Sequence, residues 1–428
     1  MAPVRSGGVE LRNSVRRAVA LRCSRIARRY PAAMDQGPLE RWAASGVMAL
    51  TGWPDEPLGP PSGLVEGVDR LGCRFDGLDA LALLGERAAL MGLWRRGGTS
   101  CGGSCRLLPS ADGHVAVSLP RAEDLELVPA WLELDTVPAS TPAVWAAVAR
   151  HLLERDPQPL VERAVLLGLP VARVGEAAAR AGVTRHPLGE APPQHDLRGL
   201  LVVDLSALWA GPLCGALLAR AGAAVVKVES TQRPDGARRG PAAFFDLLNG
   251  HKRSVALDLT DPDGVRTLHE LVRRATVVIE SSRPRALTQL GLDSLSVVRA
   301  DGPQVWVSIT GYGRSGEAAN RVAFGDDAAA AGGLVVWSND TPLFCADAVA
   351  DPVTGLTAAG ACLDALESGG RWLLDVSMSA VSAGLSGPTL PAPGDLTALP
   401  PRARPVEAMA PRLGADTGRV LAELGIEP

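Results

Sequence analysis

The sequence lacks a long uninterrupted apolar run, because arginine or an acidic residue breaks each candidate before the roughly 18 to 20 residues of a membrane-spanning helix. It also lacks an excess of one charge: 43 basic and 47 acidic residues give a formal net charge of -4. These absences predict a protein that neither spans a membrane nor binds nucleic acid. A length of 428 residues, with 46% hydrophobic and 21% charged residues, is typical of a globular protein of two or three domains.

Cysteine is scarce and scattered, with seven residues spread from Cys23 to Cys362. No secretory leader is recognisable, so we expect reduced thiols in a cytoplasmic protein rather than a disulfide framework. Cys101 and Cys105 lie four positions apart, but no histidine or second cysteine pair completes a set of four ligands. The sequence therefore predicts no metal site.

Lysine is almost absent: only two of the 43 basic residues, Lys227 and Lys252, are lysines. A chain that uses arginine by default favours lysine where a compact ammonium group is required. These two positions are therefore candidates for a specific contact.

The first 33 residues carry eight arginines and one acidic residue, Glu10. Such a basic stretch resembles a transit peptide. A solvated extension, or a true start at Met34, is the favoured interpretation. We expect residues 1–40 to form a disordered basic extension outside the fold.

Residues 41–190 alternate helical stretches with one strand pair, which predicts a smaller α+β region. Asp79 is placed to cap a helix that runs to Trp94. A glycine-rich loop follows at 97–103, and the apolar stretches on both sides of Asp112 and Gly113 predict a β-hairpin. Further helices are expected near 122–133, 141–154 and 157–167.

From residue 198 the pattern changes to alternating strands and helices. Continuous apolar stretches such as 199–203 are typical of strands covered on both faces. With right-handed crossovers, this order predicts an α/β domain with a Rossmann-like parallel sheet over residues 197–388. A linker and a last helix, 416–424, are expected within 389–428. The expected strands are 200–205, 224–229, 254–258, 276–280 and 304–310.

The turn after the first of these strands, 206–212, leads into a helix whose N-terminus suits a phosphate group. Glu229 follows at the end of the second strand, where a dinucleotide fold places its ribose-binding acid. The G-x-G-x-x-G fingerprint is absent and Trp209 occupies the turn, which disfavours NAD(P). Basic residues within 233–239 and 249–254 suit a phosphorylated ligand or, equally, a solvated rim.

Five stretches of the second half share their order and spacing with a known family. They are VDL with AGP within 203–212, GAAVVKVE at 222–229, NGHKRSVALDL at 249–259, ITGYG at 309–313 and ADPVTG at 350–355. On these stretches the chain resembles the family III CoA-transferases, the CaiB/BaiF family, which also includes 2-methylacyl-CoA racemases. That family normally places its small domain after the large one, whereas here the similar part, roughly 97–190, comes first.

The resemblance implies an acyl-CoA:carboxylate CoA-transferase that acts on an acyl-CoA and a carboxylic acid, with no permanently bound cofactor. It places the nucleophile at Asp351, which would form an aspartyl anhydride and then an aspartyl-CoA thioester. Gly102 and Gly103 would close over the intermediate and exclude water. By the same analogy, the protein would be an interlocked homodimer.

The resemblance also implies a set of coenzyme A contacts. The family often has an arginine directly after the position of Glu229, but this chain has Ser230, so Arg233 or Arg238 would supply that charge. The implied contacts are Leu208, Trp209, Ala210, Arg233, Arg238, Lys252, Arg253, Leu257, Asp258, Ser281, Ser282 and Arg283.

Three alternatives stay open. An aspartate before a proline is also typical of a helix N-cap, so Asp351 can be structural. The racemase branch needs a second acid/base residue, which the resemblance places at Phe324, unable to carry protons, or at Asp326. The third alternative is a non-catalytic protein that only binds acyl-CoA. It stays open because the stretch around Asp69 resembles a decayed copy of the Asp351 motif.

Overall fold

The computed structural model describes residues 37–177, 180–299, 302–392, 394 and 396–427, so nearly all of the expected basic extension lies outside the described residues. The first described elements are helices α1 (Pro38–Ser45), α2 (Leu64–Gly72) and α3 (Glu86–Met91). Helix α3 is shorter than the helix expected from Asp79 to Trp94. Gly92 takes a left-handed φ of 64° and ends it, and Asp79 caps a preceding 3₁₀ turn through the N–H of Ala82.

This N-terminal segment, residues 37–95, packs on the large sheet, and its residues Leu50 and Ala88 also pack against Cys101 of the glycine loop. Trp42 and Leu64 are fully buried in the same apolar cluster as the sheet residue Val307. Leu356, from a helix that crosses the same face of the sheet, belongs to that cluster as well. The segment is therefore part of the wall that covers the sheet.

The predicted hairpin is confirmed. Strands β1 (Cys105–Ser110) and β2 (Gly113–Ser118) pair antiparallel, and β3 (Val171–Arg173) adds to β2. One face of these strands packs on a separate apolar cluster that includes Val117, Trp131 and Leu160. The helices that cover it are α4 (Ala122–Leu132), α5 (Thr141–Glu154) and α6 (Pro157–Leu166).

The predicted parallel sheet is also confirmed, and it forms one seven-stranded sheet. Numbered along the chain, its strands lie in the order β4-β12-β9-β8-β5-β6-β7, and each pair is parallel except β4 with β12. The six parallel strands have the doubly wound order of dinucleotide-binding folds. The strands from β4 onward are β4 (Val183–Gly189), β5 (Leu201–Asp204), β6 (Ala224–Ser230), β7 (Arg253–Leu257), β8 (Val277–Glu280), β9 (Val305–Thr310), β10 (Val336–Ser338), β11 (Thr341–Leu343) and β12 (Arg371–Ser377).

Residues 183–189 were expected within the small region without a strand of their own, but they form β4, an antiparallel edge of the large sheet, with Val183 opposite Val376. Its sequence carries little sign of this, because five of its seven residues are exposed and three of these, 184–186, are polar. An edge strand with one wet face has no continuous apolar run, and its partner lies nearly 190 positions further along the chain. The division of the chain into domains stays a prediction.

Helices connect the parallel strands and cover both faces of the sheet. None of the helices in the described part of the chain is long and apolar enough to cross a membrane. The last helix lies beside β7, where the Thr417 hydroxyl accepts from the N–H of Ala256. The helices are α7 (Ala210–Arg220), α8 (Ala242–Asn249), α9 (Pro262–Arg274), α10 (Pro284–Gln289), α11 (Ser294–Arg299), α12 (Gly325–Ala331), α13 (Ala350–Ser368), α14 (Met378–Ala383) and α15 (Thr417–Glu423).

Candidate active site

The turn between β5 and α7 lies where the strand order of the sheet reverses, which is where open α/β sheets bind ligands. Leu208 in this turn has a left-handed φ of 70°, which is uncommon for a side chain of this size. Its N–H donates to Oδ1 of Asp235 over 3.0 Å, and the side chain of Leu208 stays 43% exposed. The turn therefore presents the N-terminus of an eleven-residue helix, α7, at the carboxyl edge of the sheet.

Asp351 lies in the first turn of α13, and its carboxylate is close enough to the backbone of Ala210 for that contact to lower its pKa. One carboxylate oxygen also rests against Gly325, where a Cβ atom would collide with it. The residue keeps part of its surface exposed. Its carboxylate thus meets the predicted coenzyme A turn at the N-terminus of α7.

Asp351 belongs to a cluster of three carboxylates with Asp326 and Asp347. Burial raises the pKa of Asp351 to about 7; Arg87 opposes that rise, and Asp326 and Asp347 add to it. Burial also raises the pKa of Asp326 to about 6, helped by the charge of Asp347 and opposed by Arg87 and by a hydrogen bond from Ser100. Neighbouring carboxylates with raised pKa values are typical of catalytic sites.

Arg87 is the cation of this cluster, and it comes from α3 in the N-terminal segment. Its Nε and Nη2 atoms bind the two oxygens of Asp347 at 2.8 and 2.5 Å. Its guanidinium also lies over the ring of Trp209, 5.3 Å from the centroid. The arginine therefore bridges the loop that precedes α13 and the turn that precedes α7.

The loop around Asp347 is strained. Ala346 and Ala348 have φ values of 59° and 45°, in a region that costs roughly 1–2 kcal/mol for a residue with a Cβ atom. In this conformation the Ala348 N–H donates to Asp326 over 3.1 Å, and the Ala348 carbonyl accepts the N–H of Asp351 over 2.9 Å. Non-glycine residues in such conformations are often found at functional sites.

The glycine loop 97–103 reaches the cluster within the same chain. The Ser100 side chain lies close enough to Asp326 to lower the pKa of its carboxyl group, and Sγ of Cys101 lies 3.5 Å from the Ala346 carbonyl oxygen. A Cβ on Gly102 would lie 3.4 Å from Nη2 of Arg87, and Gly103 takes a left-handed φ of 82°. Of the two predicted glycines, Gly102 therefore lies beside Arg87 of the cluster, whereas Gly103 lies beside Arg96.

The remaining predicted contacts fall into two groups, of which the first follows the carboxyl edge of the sheet. Trp209 and Ala210 are buried, and Trp209 packs edge-to-face on Phe244. The others in this group are Arg233 after β6, Leu257 and Asp258 at the end of β7, and Ser281, Ser282 and Arg283 after β8. Since parallel strands end at one edge, these residues and Asp351 share one side of the sheet.

The second group consists of cations that already have protein partners. Nζ of Lys252 lies 2.8 Å from Asp204, 2.8 Å from the Pro212 carbonyl and 3.0 Å from Asn249. These three acceptors use its three donors, so Lys252 is a buried structural cation rather than a phosphate contact. Arg238 pairs with Glu229 and Arg253 pairs with Glu423. Lys227, the other lysine, is equally buried and pairs with Asp235 at 2.9 Å.

Sequence reasoning missed Arg87 and Asp347. The four-residue spacing of Asp347 and Asp351 is the one local signal that points to Asp347. Of the two positions considered for a second acid/base residue, Phe324 lies under the Arg121 guanidinium, 5.7 Å from its ring centroid. Asp326 is the one that lies in the carboxylate cluster.

Comparison with known proteins identifies one family. The model of CoA-transferase family III matches residues 197–413, half of the chain. Mouse succinyl-CoA:glutarate CoA-transferase is 31% identical over 202 residues, covering 45% of this chain and 46% of the mouse protein. Succinate--glutarate CoA-transferase from Agrobacterium fabrum is 33% identical over 186 residues, covering 40% of this chain and 46% of that protein. The chain thus spans less than half the length of the curated relatives it matches.

A CAIB/BAIF family protein from Brucella suis is 32% identical, and the match covers 46% of this chain and 55% of that one with a TM-score of 0.41.

Proposed function

The chain belongs to CoA-transferase family III, and on this basis we propose that it transfers coenzyme A from an acyl-CoA to a carboxylic acid with Asp351 as the nucleophile. The observation that carries the proposal is the position of Asp351, partly exposed at the turn that offers the N-terminus of α7. Named relatives such as succinyl-CoA:glutarate CoA-transferase support the same reaction class.

The first half-reaction loads coenzyme A onto the protein. The Asp351 carboxylate attacks the thioester carbonyl, which forms a mixed anhydride and releases the coenzyme A thiolate. The thiolate then attacks the aspartyl carbonyl of the anhydride. The donor acid leaves as its carboxylate, and coenzyme A remains bound to Asp351 as a thioester.

The second half-reaction reverses these steps with the acceptor acid. Its carboxylate attacks the aspartyl thioester, which forms a new anhydride and releases the thiolate again. The thiolate attacks the acyl carbonyl of the acceptor, which gives the new acyl-CoA and restores the Asp351 carboxylate. One thioester replaces another, so the exchange is nearly thermoneutral and needs no ATP.

The neighbouring groups fit these steps. The N–H of Ala210 and the dipole of α7 stabilise the Asp351 carboxylate before attack. Gly102, which lies beside Arg87, would offer its backbone N–H to an oxyanion, whereas the N–H of Gly103 already donates to the Ser100 carbonyl, so Gly103 would only help to exclude water. The exposed residues along the carboxyl edge, among them Leu208 and Arg233, would contact coenzyme A.

A turnover assay tests the proposal with succinyl-CoA as donor and a panel of acids that includes glutarate, the substrates named for the relatives. Asp351→Asn should lower kcat to background. Asp69→Asn is the matched control, because Asp69 pairs with Arg41 away from the cluster, and it should leave turnover unchanged. Full activity of the Asp351 variant rejects the nucleophile. A wild-type protein that binds acyl-CoA without turnover on any acid favours the binding-only alternative.

A second candidate function, 2-methylacyl-CoA epimerisation, is favoured by the position of Asp326 beside Asp351. Two carboxyl groups with raised pKa values can take a proton from one face of an α-carbon and return one to the other. Deuterium from solvent would then enter the α-position of a 2-methylacyl-CoA with no acceptor acid present. Transfer that requires an acceptor acid, with no such exchange, excludes the epimerase.

A further inference from the structure

We propose that Arg87, which the N-terminal segment supplies to the site of its own chain, is a positioning residue that sets both the geometry and the charge of Asp351. The inference rests on the proposed role of Asp351 and adds a residue to that site that no sequence motif indicated. It also gives residues 37–95 a task at the active site beyond covering the sheet.

The geometric part follows from what Arg87 holds. Asp347 is fully buried, and the bidentate pair with Arg87 fixes both of its oxygens. Asp347 lies between the two strained alanines, and the second of them, Ala348, binds the N–H of Asp351. The pair with Arg87 therefore holds the loop that places the nucleophile.

The same guanidinium reaches the other side of the site. It lies over Trp209, and Trp209 directly precedes Ala210, whose backbone faces the Asp351 carboxylate and lowers its pKa. One side chain thus connects the two backbone segments that hold Asp351. Lysine could supply the charge but not the planar, two-pronged contact.

The electrostatic part follows from the balance of charges. The ionisable groups that act on Asp351 are the carboxylates of Asp326 and Asp347 and the guanidinium of Arg87, with the buried Cys101 thiol on the glycine loop nearby. The two carboxylates raise the pKa of Asp351, and Arg87 lowers it. Without Arg87 the carboxyl group would keep its proton at a higher pH, where it cannot attack a thioester.

Titration of the Asp351 carboxyl group tests the inference and needs no substrate. In protein labelled with ¹³C at aspartate side-chain carboxyls, the Asp351 signal is the one that Asp351→Asn removes. In Arg87→Met its midpoint should rise by about one pH unit or more. In Arg87→Lys the midpoint should stay near the wild-type value, while kcat falls more than KM rises because the bidentate contact is lost.

Arg404 offers a matched control, because its partner Glu86 lies on the same helix as Arg87. It binds Glu86, the neighbour of Arg87, through Nε at 2.6 Å and Nη2 at 2.9 Å, and Glu86 is just as buried as Asp347. Arg404→Met removes an equivalent pair that faces away from the cluster, so the Asp351 midpoint should not move. An unchanged midpoint in folded Arg87→Met, or an equal shift in Arg404→Met, overturns the inference. If Arg87→Met does not fold, the Arg87→Lys variant decides: a wild-type kcat in that variant overturns the inference.

Co-expression tests whether the same chain supplies Arg87. When Arg87→Met and Asp351→Asn chains are produced together, the remaining Asp351 signal comes from the Arg87→Met chain and should keep its raised midpoint. Return to the wild-type midpoint would mean that a partner chain supplies the arginine, which contradicts the same-chain arrangement. The proposed function fails separately, when Asp351→Asn retains the turnover of the wild type.

Discussion

Replacing Gly325 by alanine tests the position of Asp351 without replacing a charged residue. Gly325 is the first residue of α12, and a Cβ there would meet an Asp351 carboxylate oxygen, the Ala348 carbonyl and, at 2.7 Å, the Ala348 Cβ. Two of these atoms belong to the loop itself, so rotation of one side chain cannot make room. The loop must move away from α12 and take Asp351 with it.

The size of the effect follows from this steric conflict. Forcing a methyl group into a filled space costs about 1–3 kcal/mol of unfolding free energy. A nucleophile displaced by about 1 Å loses about 10²-fold in rate. Denaturant unfolding measures the first effect, and kcat with the best donor and acceptor pair measures the second.

Gly360→Ala is the matched control for this variant. Gly360 lies within α13, where a Cβ would meet nothing within 4 Å. Alanine is a better helix former there, so the variant should gain up to about 1 kcal/mol of stability and keep its activity. A Gly325→Ala protein with wild-type kcat would show that Asp351 does not act from its present position.

Two further predictions concern the buried ionisable groups. Because Asp351 must lose its proton before it attacks, kcat/KM should fall about tenfold per pH unit below the pKa of about 7. Asp326→Asn removes a neighbouring negative charge and should move the midpoint of this pH profile down by about one unit. An unmoved midpoint would contradict the electrostatic coupling of Asp326 to Asp351. Lys252→Met leaves Asp204 buried without its cation, which should cost about 3–5 kcal/mol in denaturant unfolding. In the folded fraction the KM for acyl-CoA should stay unchanged, and a raised KM would restore Lys252 as a coenzyme A contact.

The features that follow from local pattern were predictable from the sequence. Apolar runs such as that of β5 identify strands buried on both faces, and the apolar stretches on both sides of Asp112 and Gly113 identify the β1–β2 hairpin. The ADPVTG motif pointed to Asp351, which the structure places at the turn before α7. Each of these signals depends on residues that are close together in the chain.

The features that depend on distant contacts were not predictable in this way. Arg87 is one of many arginines, and its role appears only when α3 lies beside a loop about 260 positions later. The rarity of lysine correctly singled out Lys252 as a specific contact. It did not show that the partner would be Asp204 rather than a phosphate, because burial of the ammonium depends on how α7 packs against the sheet.

Covalent trapping at position 351 tests the central claim most directly. The protein is incubated with an acyl-CoA, treated with hydroxylamine, digested and analysed by mass spectrometry. The account predicts a hydroxamate on the Asp351 side chain that forms only when acyl-CoA is present. Efficient transfer with no modification there, or with the modification on Asp326 or Asp347 instead, would contradict it.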